Sequence, residues 1–304
     1  MTPAPMRLTP SYRDKIWGAT NLEPWFRRSE SKIGEVWFTF DENTTDDGRS
    51  LRTLMREYGP EFLGTDRAWD SFPLLVKFIF TSDRLSVQVH PDDAVARKWE
   101  HSPGKTEMWH ILRADPGAAI ALGLKHAVTP ERLREAALSG EIEDLLRWVP
   151  VRAGDTFFTA PGTIHAIGPG LALVEIQQNS DITYRLYDYG RPRELHLDKA
   201  IAVSDPQPHP GASKPEDLGG GVRRLVTSSH FVTDAIEYDS EAKYHPEPGR
   251  IHILIVTAGY GAIAGQPFAP GEVWLVPASA EPFAIAPAPT ASFLRTYVPP
   301  ASSF

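Results

Sequence analysis

Proline and glycine interrupt this chain so often that long helices have little room to form. There are 28 prolines and 23 glycines in 304 residues. Proline removes a backbone donor and glycine favours turns, so the segments between them are short. Many of those segments alternate apolar and polar residues with a period of two, the pattern of half-buried strands. LSVQVH from Leu85 to His90 and GKTEMWHIL from Gly104 to Leu112 are of this kind, and GEVWFTF from Gly34 and LALVEIQ from Leu171 read as strands beside them. FPLLVKFIF, Phe72 to Phe80, is an almost continuous apolar run broken by Lys77. It reads as a buried strand from which Lys77 is expected to snorkel, with entry into a site as the alternative.

Helical spacing is confined to Leu51–Tyr58, Asp92–Glu100 and Thr129–Leu146, the last broken at Gly140. The expected class is therefore mainly β with a few short helices. Asp205 to Gly221, rich in proline and glycine, reads as a linker. Beyond it GEVWLVPASAEPFAI repeats the logic of GDTFFTAPGTIHAI, with Pro282 and Phe283 where the first copy has Ile164 and His165. Two related barrels are expected, of which only the first keeps polar ligands. Residues 1–205 would form the first with an N-terminal arm and a helical excursion at 129–146, 206–221 the linker, and 222–304 the smaller second.

The absence of cysteine removes thiolate metal sites and thiol nucleophiles, so a metal must use nitrogen and oxygen. A net charge of −8 argues against a nucleic-acid partner. It leaves room for a phosphorylated small molecule, which a few arginines or lysines can bind locally. No stretch approaches the roughly 20 apolar residues of a membrane span, so no membrane partner is expected and the cytoplasm is the expected location.

Period-two alternation puts Ser86, Gln88 and His90 on one strand face, and Lys105, Glu107 and Trp109 on another. Turns at Pro161-Gly162 and Gly168–Gly170 bracket His165, a way to direct one imidazole inward. Gln88, His90, Glu107 and His165 are the candidate ligands, a nitrogen and oxygen set that suits zinc or another first-row divalent ion. Asp92, Asp93 and Asp181 read as caps of helices or turns. The other histidines read as structural or exposed.

FPLLVKF, LSVQVHPDD, GKTEMWHIL, APGTIHAIG and EIQQNSDITYRLYDYGR occur in this order. Together they closely resemble the zinc-dependent mannose-6-phosphate isomerases of the cupin superfamily, in the short bacterial form with two jelly-roll barrels. The resemblance covers most of residues 12–205. It implies one divalent ion, zinc, on Gln88, His90, Glu107 and His165, with Lys105, Glu175 and Arg185 as the catalytic group. It further implies conversion of mannose 6-phosphate to fructose 6-phosphate through an enediol or enediolate. Arg185 would bind enediolate oxygens or the phosphate. Glu175, on a strand rich in leucine and valine, is expected to have a raised pKa if buried. The carrier of the C1–C2 proton stays open among Glu175, Lys105 and metal-bound water. Two rivals stand beside this reading: a bicupin Fe(II) dioxygenase, since two histidines and a carboxylate also suit iron, and a sugar-phosphate-binding cupin without turnover.

Overall fold

Strand pairing sorts the chain into three sheets. The computed structural model describes residues 4–64 and 69–300; residues 1–3, 65–68 and 301–304, including both ends of the expected division, lie outside the described residues. A six-stranded sheet runs in the order Ser11–Ala19, Ile33–Phe38, Leu74–Phe80, Leu171–Gln178, Glu107–Ala114, Thr156–Thr159. A five-stranded sheet runs Tyr184–Tyr187, Val87–Val89, His165–Ile167, Ala119–Leu124, Leu146–Pro150. Between these two lies an apolar layer of Ile79, Trp109, Ile111 and Leu173 from the first and Ile120, Leu122 and Ile167 from the second. They are the two walls of one barrel. The third sheet, of nine strands, is built mainly from Val222 to Tyr297. This is the mainly β, two-barrel cupin-type architecture expected from the sequence.

Residue parity explains why Phe72–Phe80 is apolar on both faces. Val76, Phe78 and Phe80 join a core with Ile253, Leu275 and Leu294 of the nine-stranded sheet. Leu75, Lys77 and Ile79 therefore face the barrel interior. An ammonium on that side points into the barrel and not to the outer surface. Lys77 is buried, and the snorkelling expectation is corrected in favour of the site.

Several boundaries differ from the expected ones. The Gln88 strand is regular only over Val87–Val89, and Lys105 precedes the strand that begins at Glu107. Met6–Arg7, in the N-terminal arm, pairs with Val273–Val276 and so belongs to the nine-stranded sheet. The expected linker contains Glu216–Gly219, paired with Val222–Thr227. RIHILIVTAG and YGAIAG, and likewise PFAIA and SFLRTYV, read in the sequence as separate strands, but each pair forms one strand, His252–Ile263 and Phe283–Tyr297. Glycine there makes a bulge instead of an end: Gly259 has φ 82°, and a Cβ on it would meet the Thr290 carbonyl oxygen at 2.2 Å.

The helices end where capping chemistry ends them. Asp92 caps Asp93–Glu100 by accepting from the Val95 amide at 2.8 Å, as read from the sequence. Thr129 caps Pro130–Ser139, and Gly140 closes that helix in the left-handed region. A short turn, Ile142–Leu145, then leads into the strand Leu146–Pro150. Among the described residues no helix is long and apolar enough to cross a membrane.

Candidate metal centre and sugar-phosphate site

Rows of directly opposed residues on the two walls of the first barrel build the site. On the five-stranded wall His165 lies opposite Gln88, and Gln88 opposite Arg185. On the six-stranded wall Trp37, Lys77, Glu175 and Trp109 form one row, and Gln177 and Glu107 start the next. Directly opposed residues share a face. The barrel thus brings together side chains far apart in the chain.

His90, Glu107 and His165 converge, with one potential ligand atom from each within 4.8 Å of the others, and all three are buried. Each imidazole is oriented by its Nδ1–H. His90 donates it to the Ile182 carbonyl at 2.7 Å, and His165 to the Thr163 carbonyl at 2.9 Å. Both rings therefore turn an Nε2 lone pair toward Glu107, at 3.6 Å from Oε2 and 3.3 Å from Oε1. Burial, with Lys105 nearby, holds both histidines neutral, His90 well below its ordinary pKa and His165 down to about 4. Glu107 Oε1 is buried without a hydrogen-bond partner. Two imidazole nitrogens gathered around a carboxylate with one unpartnered oxygen are the nitrogen and oxygen ligands a divalent metal takes, so these residues fit one. Gln88 reaches the group as well, with its amide nitrogen 3.3 Å from His165 Nε2 and its oxygen accepting from Ser86 at 3.1 Å.

A cavity of about 260 Å³ lies beside this group and meets it at Gln88 and Lys105; Lys77, Glu175, Asp181, Arg185 and Arg193 also line it, whereas His90, Glu107 and His165 do not. Lys105 Nζ donates to Glu107 Oε2 at 2.7 Å and lies 4.0 Å from Glu175 Oε1. Burial works against its charge, but Glu107 and Glu175 outweigh it and raise the Lys105 pKa. Burial pushes Glu107 up to about 7 against the pull of Lys105.

Glu175 is buried, as expected, but its pKa moves the other way. Burial alone would raise it; Lys105, Lys77 and the Trp109 indole N–H at 3.0 Å together bring it below its ordinary value. The carboxylate is ionised and both its oxygens are engaged. This corrects the expectation of a raised pKa at Glu175.

Arg185 anchors one arm on the Glu194 carbonyl at 2.7 Å, while its buried Nε has no partner. Beside it Asp188 takes hydrogen bonds from Arg191 and Arg193, which fixes a second cation on the cavity wall. Asp181 is on that wall too, 3.7 Å from Lys77 Nζ, so the capping role expected for it is replaced by a place in the site. Sequence reasoning also passed over Glu35 and Lys15, which line the cavity and pair at 3.2 Å. Lys77 had the clearest signal of these, because a lone cation in an apolar run needs a buried partner.

No family model matches the chain. Among curated proteins it is 34% identical over 301 residues to a mannose-6-phosphate isomerase of Bacillus subtilis, covering 91% of this chain and 94% of that protein. It is 39% identical over 215 residues to the mannose-6-phosphate isomerase of Streptococcus mutans, covering 66% and 67%. Among solved structures, the crystal structure of a B. subtilis mannose 6-phosphate isomerase matches with a TM-score of 0.88 at 30% identity, over 97% of this chain and 99% of that one. A phosphomannose isomerase from Salmonella typhimurium has the same fold, with a TM-score of 0.81 at 16% identity.

Proposed function

Because this chain belongs to the mannose-6-phosphate isomerase family, we propose that it interconverts mannose 6-phosphate and fructose 6-phosphate on a zinc ion held by His90, Glu107 and His165, with Gln88 beside them. The observation that carries the metal assignment is the buried, unpartnered Glu107 Oε1, 3.3 Å from His165 Nε2, with His90 Nε2 3.6 Å from the other oxygen of the same carboxylate. A divalent ion bound there supplies Lewis acidity toward sugar oxygens.

Aldose–ketose conversion moves one proton between C1 and C2 while negative charge builds on the neighbouring oxygens. The cavity floor suits that demand. Glu175 holds the Lys77 and Lys105 ammonium groups there, at 3.5 and 4.0 Å. Each ammonium donates hydrogen bonds to oxygens on which charge develops. Glu175, ionised by its neighbours, serves as their counter-charge. Arg185, with Arg193, binds the phosphate, since a guanidinium offers a planar pair of donors and stays charged.

The test is a coupled assay for fructose 6-phosphate formed from mannose 6-phosphate, run before and after chelation and zinc return, with His90→Ala and Arg185→Ala alongside. Chelation and His90→Ala should cut turnover severely at any substrate concentration, Arg185→Ala should cut it at low mannose 6-phosphate, and zinc should not rescue His90→Ala. Full turnover by His90→Ala would remove the metal assignment, while oxygen consumption with added Fe(II) would support the dioxygenase rival.

A further inference from the structure

Trp37, Lys77, Glu175 and Trp109 are direct partners on four successive strands. An indole, an ammonium, a carboxylate and a second indole thus lie side by side on one sheet face. The two indoles act differently. Trp109 donates its N–H to Glu175 Oε2. Trp37 presents its ring, with Lys77 Nζ 4.5 Å from the ring centroid, well inside cation–π range.

Lys77 needs such a contact. Its ion-pair distances to Glu175 and Asp181, 3.5 and 3.7 Å, are long for hydrogen bonds. A flexible four-carbon stem on those contacts alone would leave the ammonium loosely placed. The Trp37 ring is itself fixed. Its Nε1–H donates to Glu35 Oε2 at 2.8 Å, and the same oxygen lies 3.2 Å from Lys15 Nζ. Lys77 lines the cavity, whereas Trp37 is not among its lining residues.

We infer that Trp37 is a positioning residue, whose ring holds the Lys77 ammonium over the reacting sugar without touching the sugar itself. The inference rests on the isomerase reading of the cavity. It gives that reading a specific support: an aromatic face sets where one of the two ammonium groups on the floor stands.

The experiment uses zinc-loaded protein carrying 13C-labelled lysine. The Lys77 side-chain methylene signal, identified by its loss in Lys77→Met, should be shifted upfield by the ring in the wild type. In Trp37→Leu it should return to the ordinary lysine position. With mannose 6-phosphate, Trp37→Leu should lower kcat about tenfold with KM within about twofold, consistent with a desolvated cation–π contact. Trp37→Phe should recover most of the loss, and Trp37→Leu should add nothing in a Lys77→Met background. An unshifted Lys77 signal in the wild type overturns the positioning role. So does a Trp37→Leu loss of the same size with Lys77 already removed. A wild type with the shifted signal but no isomerase turnover instead overturns the isomerase reading.

Discussion

The Lys105 ammonium lies 2.7 Å from Glu107 Oε2, and both side chains are buried. The same ammonium is 3.2 Å from His90 Nε2. A fixed positive charge therefore touches two of the groups proposed to hold the ion. In the proposed reaction it would oppose the ion by direct repulsion and lend the reacting oxygens a donor by the same placement.

Lys105→Met should accordingly tighten metal binding while it weakens catalysis. Removing one charge at this range should lower the zinc dissociation constant by at least about tenfold, given the strength of charge pairs away from bulk water. Turnover should fall by about a hundredfold or more. Competition against a chromophoric chelator measures the first effect and the coupled assay the second. Weaker zinc binding in Lys105→Met would show that the lysine supports the ligand set.

Glu175→Gln removes the counter-charge shared by two buried ammonium groups. Breaking a buried pair from one side typically costs about 3–5 kcal/mol, because the remaining charge stays without compensation. A loss of that order is expected in urea unfolding of the zinc-loaded protein. If Glu175→Gln unfolds at the wild-type midpoint, the carboxylate is not what holds Lys77 and Lys105 in place.

How far the site is legible in the sequence follows from which contacts are local. Alternation places Gln88 with His90 and Lys105 with Glu107, and flanking turns single out His165. Those side chains are directed by their own strands and turns. Lys77 and Asp181 depend on strands that meet from distant parts of the chain, so hydropathy alone shows Lys77 as an interruption and Asp181 as a turn residue. The pKa of Glu175 is of the second kind. Burial is readable from its leucine-rich and valine-rich strand, but the direction of the shift is set by Lys77 and Lys105 arriving from elsewhere. The fusion of the late strands is similarly hidden, because glycine marks bulges and turns alike in a sequence.

Acid should destabilise the protein partly through His252. This residue, on the nine-stranded sheet, is fully buried, and its Nδ1 meets the Tyr244 hydroxyl at 2.5 Å. Burial first, then Arg295 and Arg250, bring its pKa down to about 3. Between that value and about 6.5, the ordinary histidine value, the unfolded chain binds a proton that the folded chain refuses. Stability should therefore fall as pH drops through this window, by up to about 1.4 kcal/mol per pH unit from this one group. His252→Gln should flatten the slope by one proton equivalent in urea titrations from pH 7 to pH 4. An unchanged slope would mean that His252 already accepts its proton in the folded state.

Arg185 separates binding of the phosphate from stabilisation of the enediolate. Its guanidinium is tethered through Nη1 to the Glu194 carbonyl, which leaves the buried Nε as a donor with no partner among the described residues. A donor edge of that shape matches a phosphate in two places at once, which a lysine ammonium does not reproduce. Phosphate is present in the bound sugar and in the transition state alike, so its loss is a loss of uniform binding. Arg185→Lys should thus raise KM for mannose 6-phosphate about tenfold or more and leave kcat within a few fold. A contact to the enediolate exists only as the charge develops, and its loss would instead lower kcat with KM nearly constant. Initial rates of Arg185→Lys across a wide range of mannose 6-phosphate decide between the two, and a kcat-only defect would move Arg185 from the phosphate to the reacting carbons.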